Sequence, residues 1–317
     1  MKKITFKSIF MALFLTTSVS FSQTSSSSQT LFGQELTDAN VKSLEESGVI
    51  RCGSVEYEKY LQSLYPERAT NEEFESWLSP KVHEIQAQRS NGISILFTIP
   101  EVYDVLTDGA GSSNLTEAII QAQNDQLNLD FSNNSGSGYS AASDTEVQFC
   151  LATQNEAEEA IIEPGINRII DYGAGPFSRS DFENTIKPAT QWDPTRYLNI
   201  WVADLESPLL GYAQFPGGSS ATDGVVIDSK YFGLSGTANA PYNLGRTATH
   251  EVGHWLNLRH IWGDATCGND LVSDTPTHNA ANSGVPAVGH RSTCSGTPLE
   301  MYMNYMDYTD DRGMYLF

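Results

Sequence analysis

Positive charge is scarce in this chain. Only 18 of its 317 residues are Lys or Arg, against 39 Asp or Glu, which gives a formal net charge of −21. That surplus repels nucleic-acid phosphates and anionic lipid, so neither is an expected partner. Long apolar runs are also missing: no stretch reaches the roughly 20 residues that a membrane-spanning helix requires. Four cysteines are too few for a disulfide-stapled miniature scaffold, and there are only six histidines. What is present, 39% hydrophobic and only 18% charged residues, suits a chain that buries a core rather than one that stays unfolded. Its partners should be neutral, cationic or metallic.

Lys2, Lys3 and Lys7 precede the apolar run Ile9–Leu15, and small residues follow up to Ser22. Charged start, short apolar middle and small-residue end describe a secretory signal peptide over 1–22, so the protein is expected outside the cell, with its cysteines in an oxidising environment. The Ser/Gln-rich stretch to Thr30 is too polar to bury anything. From Leu31 to Arg89 the spacing of Tyr57, Tyr60, Leu61 and Leu64, and then of Phe74 and Trp77, predicts a small helical segment that leans on something larger. Beyond it, strands are predicted at Ile93–Pro100, Glu146–Ala152, Asn199–Leu205 and Gly224–Asp228, and helices over Leu115–Leu129 and Leu244–Trp255. Interleaved strands and helices give an α/β fold, one domain from about residue 90 to the end. The polar loop Ser132–Asp144 is long enough to edge a cleft.

Half of the histidines fall in one eleven-residue stretch, His250-Glu251-Val252-Gly253-His254-Trp255-Leu256-Asn257-Leu258-Arg259-His260. Residues four apart on a helix stand above one another, so His250 and His254 aim two imidazoles at one point, as a zinc ion needs. Glu251, beside the first ligand, can reach a water in the open fourth position and act as its base. His260 can join the same metal only if the helix ends after His254 and the chain turns sharply. Asn257 is the residue for that turn, being the most tolerant of positive φ after glycine.

The segment Asn304-Tyr305-Met306-Asp307-Tyr308 places a methionine 46 residues after His260. With HEVGHWL, Asp270-Leu271-Val272-Ser273-Asp274-Thr275-Pro276, Gln148–Ala152 and Leu198–Val202, it makes residues 50–317 resemble the pappalysin family of metzincin zinc peptidases. The family uses glycine where this chain has Asn257. The resemblance implies a two-subdomain catalytic domain over 90–317: a mixed twisted sheet with the active-site helix to about 260, then an irregular lower subdomain over 261–317. It implies one catalytic zinc held by His250, His254 and His260, with Glu251 as general base, Met306 as the floor beneath the metal, and Tyr308 donating to the oxyanion. It implies calcium at the loop containing Asp270, Val272 and Thr275, although a metal-free turn held by Asp side chains fits that loop as well. It implies a disulfide between Cys267 and Cys294, the family's second pair being replaced near Gly284-Val285-Pro286 and at Gly313.

Cys52, in Ile50-Arg51-Cys52-Gly53, resembles the cysteine switch of metallopeptidase pro-segments, whose thiolate occupies the fourth position on zinc. Residues 23–89 then read as a pro-segment cut at Arg89-Ser90. The alternative is a disulfide from Cys52 to Cys150, although Cys150 lies in an apolar strand pattern and suits a buried thiol. Arg312, just past Met306, is expected near the pocket for the residue after the scissile bond, where it would disfavour basic side chains. The expected protein is a monomeric, secreted zinc endopeptidase acting on proteins or peptides. Its rivals are an inert secreted zinc/calcium-binding module, which would not need Glu251, and a zinc hydrolase of non-protein substrates, which would not need the cysteine-bearing segment.

Overall fold

Residues Phe97–Leu106 form the strand around which the molecule is built. Val102, Tyr103, Val105 and Leu106 are all buried, so both faces of this strand are covered, as in a central parallel strand. The computed structural model describes residues 29–317 apart from 92–94, 136, 138, 140 and 207; the predicted signal peptide lies outside them. The strand predicted at Ile93–Pro100 is displaced towards the C-terminus: Ile95, Leu96 and Phe97 are exposed. Glu101 and Asp104, both buried, broke the apolar pattern over the true strand.

The sheet has six strands among the described residues. Phe97–Leu106 pairs in parallel with Leu198–Ala203 on one side, and on the other with Val147–Leu151 and then Ile166–Ile169. Leu198–Ala203 pairs in parallel with Val225–Asp228, which carries the antiparallel edge strand Gly211–Ala213. The sheet is therefore mixed, and its one antiparallel strand borders the cleft.

One face of the sheet packs on helix α4 (Glu117–Phe131) and on the site helix Arg246–Trp255, through Ile120, Leu127, Phe131, Ala248 and Val252. Thr116 caps α4 by accepting from Ile119 N. The site helix begins at Arg246, two residues later than predicted, because Gly245 at φ 80° turns the chain into it.

The other face is covered partly by the N-terminal segment. A hairpin pairs Thr30–Leu31 with Gln34–Glu35, so Thr30, at the end of the polar stretch, lies in a strand. Three helices follow: α1 (Asp38–Ser47), α2 (Ser54–Leu64) and α3 (Asn71–Ser90). Leu31, Phe32, Ile50, Tyr57 and Leu61 share a core with Phe177, Phe182, Trp201 and Tyr212. Helix α3 differs: a Thr70–Glu73 capping box starts it, but it buries no residue.

After His260 the chain is irregular. The Cys267–Cys294 disulfide closes this region, with Cα atoms 5.8 Å apart. A Cβ at Gly313 would lie 3.2 Å from both methyls of Val285, so apolar packing fills the place where the family resemblance implies a second disulfide. Cys52 and Cys150 are both free, which removes the alternative bridge, and Cys150 is half-buried rather than fully enclosed.

Candidate active site

The site helix presents His250 and His254 on one side, and the chain turns immediately after it. Asn257 takes φ 77°, and Leu258 N donates to Gly253 O at 2.9 Å. That reversal brings His260 back beside the helix: His254 Nε2 lies 3.1 Å from His250 Nε2 and 3.2 Å from His260 Nε2. Two tetrahedral ligands at zinc–nitrogen distances of about 2.05 Å stand roughly 3.3 Å apart, so this spacing suits one shared ion.

The remaining ring nitrogens explain why these three point inward. His250 Nδ1 donates to Tyr305 O at 2.6 Å, His254 Nδ1 to Leu258 O at 2.7 Å, and His260 Nδ1 to the Asp264 carboxylate at 2.6 Å. Acceptors at all three Nδ1 atoms fix the proton there and leave each Nε2 lone pair free. Burial and mutual repulsion hold His250 and His254 well below the usual histidine range. Convergent, buried imidazoles fit a cation. Trp262 stacks on His260 at 4.4 Å between ring centroids and helps fix its plane.

The sulfur of Cys52 joins the group: its ligand atom and those of the three histidines all lie within 4.8 Å of one another. This is the one such cluster among the described residues. Burial and the neighbouring Glu251 push the thiol pKa up, and a cation between the histidines would reverse that preference. Glu251 accepts from Ser54 Oγ at 2.8 Å and from the Cys52 thiol at 3.4 Å, while its Oε1 has no partner. Burial raises its pKa to about 7. Gly211 is needed opposite, since a Cβ there would meet Glu251 Cγ at 3.1 Å.

Met306 and Tyr308 both lie close to the histidine cluster. Met306 is buried beneath Gly253, where any side chain would strike its sulfur. The ring of Tyr308 lies 5.0 Å from that of His260, and its hydroxyl donates to Cys52 O at 3.4 Å. Asp270, Val272 and Thr275 come together as a turn, with the Asp270 carboxylate accepting from Val272 N at 3.1 Å. Burial raises the Asp270 pKa, and the Thr275 side chain opposes that by bonding the carboxylate.

Cys52 is held by strand pairing. Leu210 N donates to Ile50 O, Gly53 N to Gly211 O and Ala213 N to Ser54 Oγ, so residues 50–54 run parallel to the edge strand along the cleft. Arg51 enters a closed pocket: Nη1 donates to Thr247 Oγ1 at 2.9 Å, Nη2 lies 3.4 Å from Asp311 Oδ1, and the guanidinium stacks over Tyr242. The expectation for Arg312 is overturned here. Its side chain is 73% exposed and nearest Asp310, because the short helix Asp311–Gly313 turns its neighbour Asp311 inward. The floor of the pocket that Arg51 fills is acidic.

Arg51, Ser54, Asp264 and Asp311 all escaped the sequence reading. The spacing His260-x-x-x-Asp264 is a usable signal in hindsight; the others are joined to the site only by the fold.

Residues 181–317 match the family model described as pregnancy-associated plasma protein-A. An extracellular metalloprotease of Verticillium alfalfae is 39% identical over 157 residues, covering 46% of this chain and 53% of the relative. One from Pyricularia oryzae is 34% identical over 191 residues, 57% of this chain and 64% of the relative. The chain thus spans between half and two thirds of the length of these two curated relatives. Among solved structures, mature mirolysin of Tannerella forsythia in complex with a cleaved peptide superposes with a TM-score of 0.64 and 39% identity, over 71% of this chain and 88% of that one. A promirolysin mutant of the same organism gives 0.67 and 35%, over 84% of this chain and 89% of that one.

Proposed function

From the premise that the chain belongs to the pappalysin family of metzincin metallopeptidases, we propose that it is a secreted zinc endopeptidase made as a zymogen. The observation that carries this reading is the convergence of three imidazole Nε2 atoms with Glu251 alongside and the Cys52 thiol at the same point. Zinc, when bound by His250, His254 and His260, supplies a Lewis acid for the scissile carbonyl and acidifies water. Glu251, beside the histidines, takes the proton of the attacking water and returns it to the leaving amine. Tyr308 loses its acceptor, Cys52 O, when the N-terminal segment leaves, and its hydroxyl is then free to donate to the oxyanion.

Residues 23–89 act as the pro-segment in this proposal, with cleavage at Arg89-Ser90. That bond lies at the exposed end of α3, a helix that buries nothing, so local unwinding suffices to present it to a protease. The greater coverage by promirolysin than by mature mirolysin supports the same division. Arg51 gives the specificity: a pocket floored by Asp311 and walled by Tyr242 and Thr247 takes Arg or Lys after the scissile bond. Calcium at Asp270, Val272 and Thr275 belongs to the proposal as a clamp on the lower subdomain, and a rise in thermal midpoint on adding calcium to the chelated protein tests it.

The decisive experiment follows hydrolysis of a quenched-peptide library by the processed chain, beside Glu251→Ala and a zinc-chelated sample. Cleavage by the wild type alone, on the amino side of Arg or Lys, is the expected result. A chain that binds one zinc yet cuts nothing is instead an inert binding module.

A further inference from the structure

The contact between the turn after the site helix and helix α3 concerns the half of the cleft that the Arg51 pocket leaves unassigned. Asn257 Nδ2 donates to Glu75 Oε1 at 2.9 Å, and Arg259 Nη2 lies 3.8 Å from the same oxygen. Helix α3 buries no residue, and Phe74, Glu75 and Leu78 are its half-buried positions along this face. Phe74 lies against Gly217, and Phe74 and Leu78 border a cavity of about 480 Å³ whose other walls include Gly217, Trp255, Leu256 and Asn257.

These walls are cleft walls. Gln214–Gly218 continues the edge strand past Ala213, and Trp255–Asn257 continues the site helix past His254. Together they bound the side of the histidine cluster opposite the Arg51 pocket. If that pocket takes the residue after the scissile bond, the residues before it pass between Gly217 and Asn257. The inference therefore rests on the peptidase reading.

We infer that Asn257 and Arg259 form a substrate subsite for an acidic side chain on the amino-terminal side of the scissile bond, occupied in the full-length chain by Glu75. The two donors converge on a single carboxylate oxygen, an amide at hydrogen-bonding distance and a guanidinium just beyond it. Asn257 lines the cavity itself, whereas Arg259 lines a small neighbouring pocket with Asp270 and Asp274 and reaches Glu75 from there; a carboxylate is the natural ligand of this amide and guanidinium together. Asp223, which also lines the cavity, accepts from Trp255 Nε1. That carboxylate favours an apolar or neutral group in the cavity itself, with the acidic side chain at its Asn257 rim.

The test uses the processed enzyme and quenched peptides with Arg after the scissile bond and Glu or Gln scanned through the four preceding positions. At one position Glu should exceed Gln in kcat/KM by about fivefold, the size expected of a partly exposed charge-assisted contact, and the preference should shrink as salt is added. Arg259→Gln and Asn257→Gly should each lower the Glu/Gln ratio, and the double variant should bring it to one. Both residues adjoin the metal site, so the ratio is the readout, and the Gln peptide reports any general loss. A ratio of one at every position in the wild type, or a preference that survives the double variant, overturns the subsite while leaving the peptidase reading intact. Failure to cut any peptide overturns both. A Glu75→Gln zymogen that activates faster, combined with a flat Glu/Gln ratio, reduces the contact to a latch and also overturns the subsite.

Discussion

Replacing Asp311 by Asn tests the acidic pocket most directly. Asp311 is fully buried, its Oδ1 3.4 Å from Arg51 Nη2, and its Oδ2 accepts from Leu244 N at 2.8 Å. At that separation and an effective dielectric near 20, the attraction is about 5 kcal/mol before desolvation is subtracted. Desolvating both ions cancels a good part, which leaves about 2–3 kcal/mol, or roughly a hundredfold in kcat/KM, to discriminate Arg from an apolar residue. Asn preserves the size and can still accept from Leu244 N, so the start of the site helix should survive. The processed Asp311→Asn enzyme should cut peptides with Arg after the scissile bond about a hundredfold more slowly, and peptides with Leu there at least as fast as wild type. The assay is paired kcat/KM on two peptides that differ only at this residue. An equal fall on both would mean that the substitution merely damages the site helix. No fall on either would mean that a substrate arginine does not follow the path of Arg51, and the pocket argument would fail.

Three further outcomes are expected. Asp264→Asn weakens the acceptor that orients His260, and zinc affinity, measured by competition with a coloured chelator, should drop about 10–100-fold, whereas Asp264→Glu should recover part of it. Burial raises the Glu101 pKa to about 7 from an ordinary 4.5. The folded protein therefore keeps a proton that the unfolded chain releases, and stability falls as pH rises from about 4.5 to 7 and stays lower above it. Glu101→Gln should remove a penalty of up to about 3 kcal/mol at pH 8 and change little at pH 4, read as denaturation midpoints at the two pH values. Removing the Cys267–Cys294 bridge, which spans 27 residues, as a double alanine variant should cost about 3–4 kcal/mol by the same measurement. An unchanged midpoint would show that the lower subdomain does not depend on it.

The legible parts of this protein are the ones whose determinants are local. The histidine spacing, the turn demanded at Asn257 and the amphipathic stretch of α4 lie within a few helical turns of sequence, where the helix period alone relates side chains. The central strand was harder. Buried Glu101 and Asp104 interrupt its apolar pattern, and their acceptability depends on Asn124, Tyr103 and Asn167, two of them on other elements. Arg312 shows the limit of proximity along the chain. Its nearness to Met306 along the chain points to the pocket that Arg51 fills, yet the short turn Asp311–Gly313 turns Asp311 inward and leaves Arg312 exposed.

By itself, the sequence determined the close grouping of His250, Glu251, His254 and His260, the family and the likeness of Cys52 to a switch residue, because each is a matter of residue type at fixed short spacing. The tertiary structure decided which nitrogen of each histidine faces the site, since that depends on acceptors at Tyr305, Leu258 and Asp264. It also decided that the N-terminal segment shares the core of the sheet, that Arg51 meets Asp311 across 260 residues of chain, and that Asn257 meets Glu75. Such meetings are set by the global packing of apolar faces, which no short window of sequence contains.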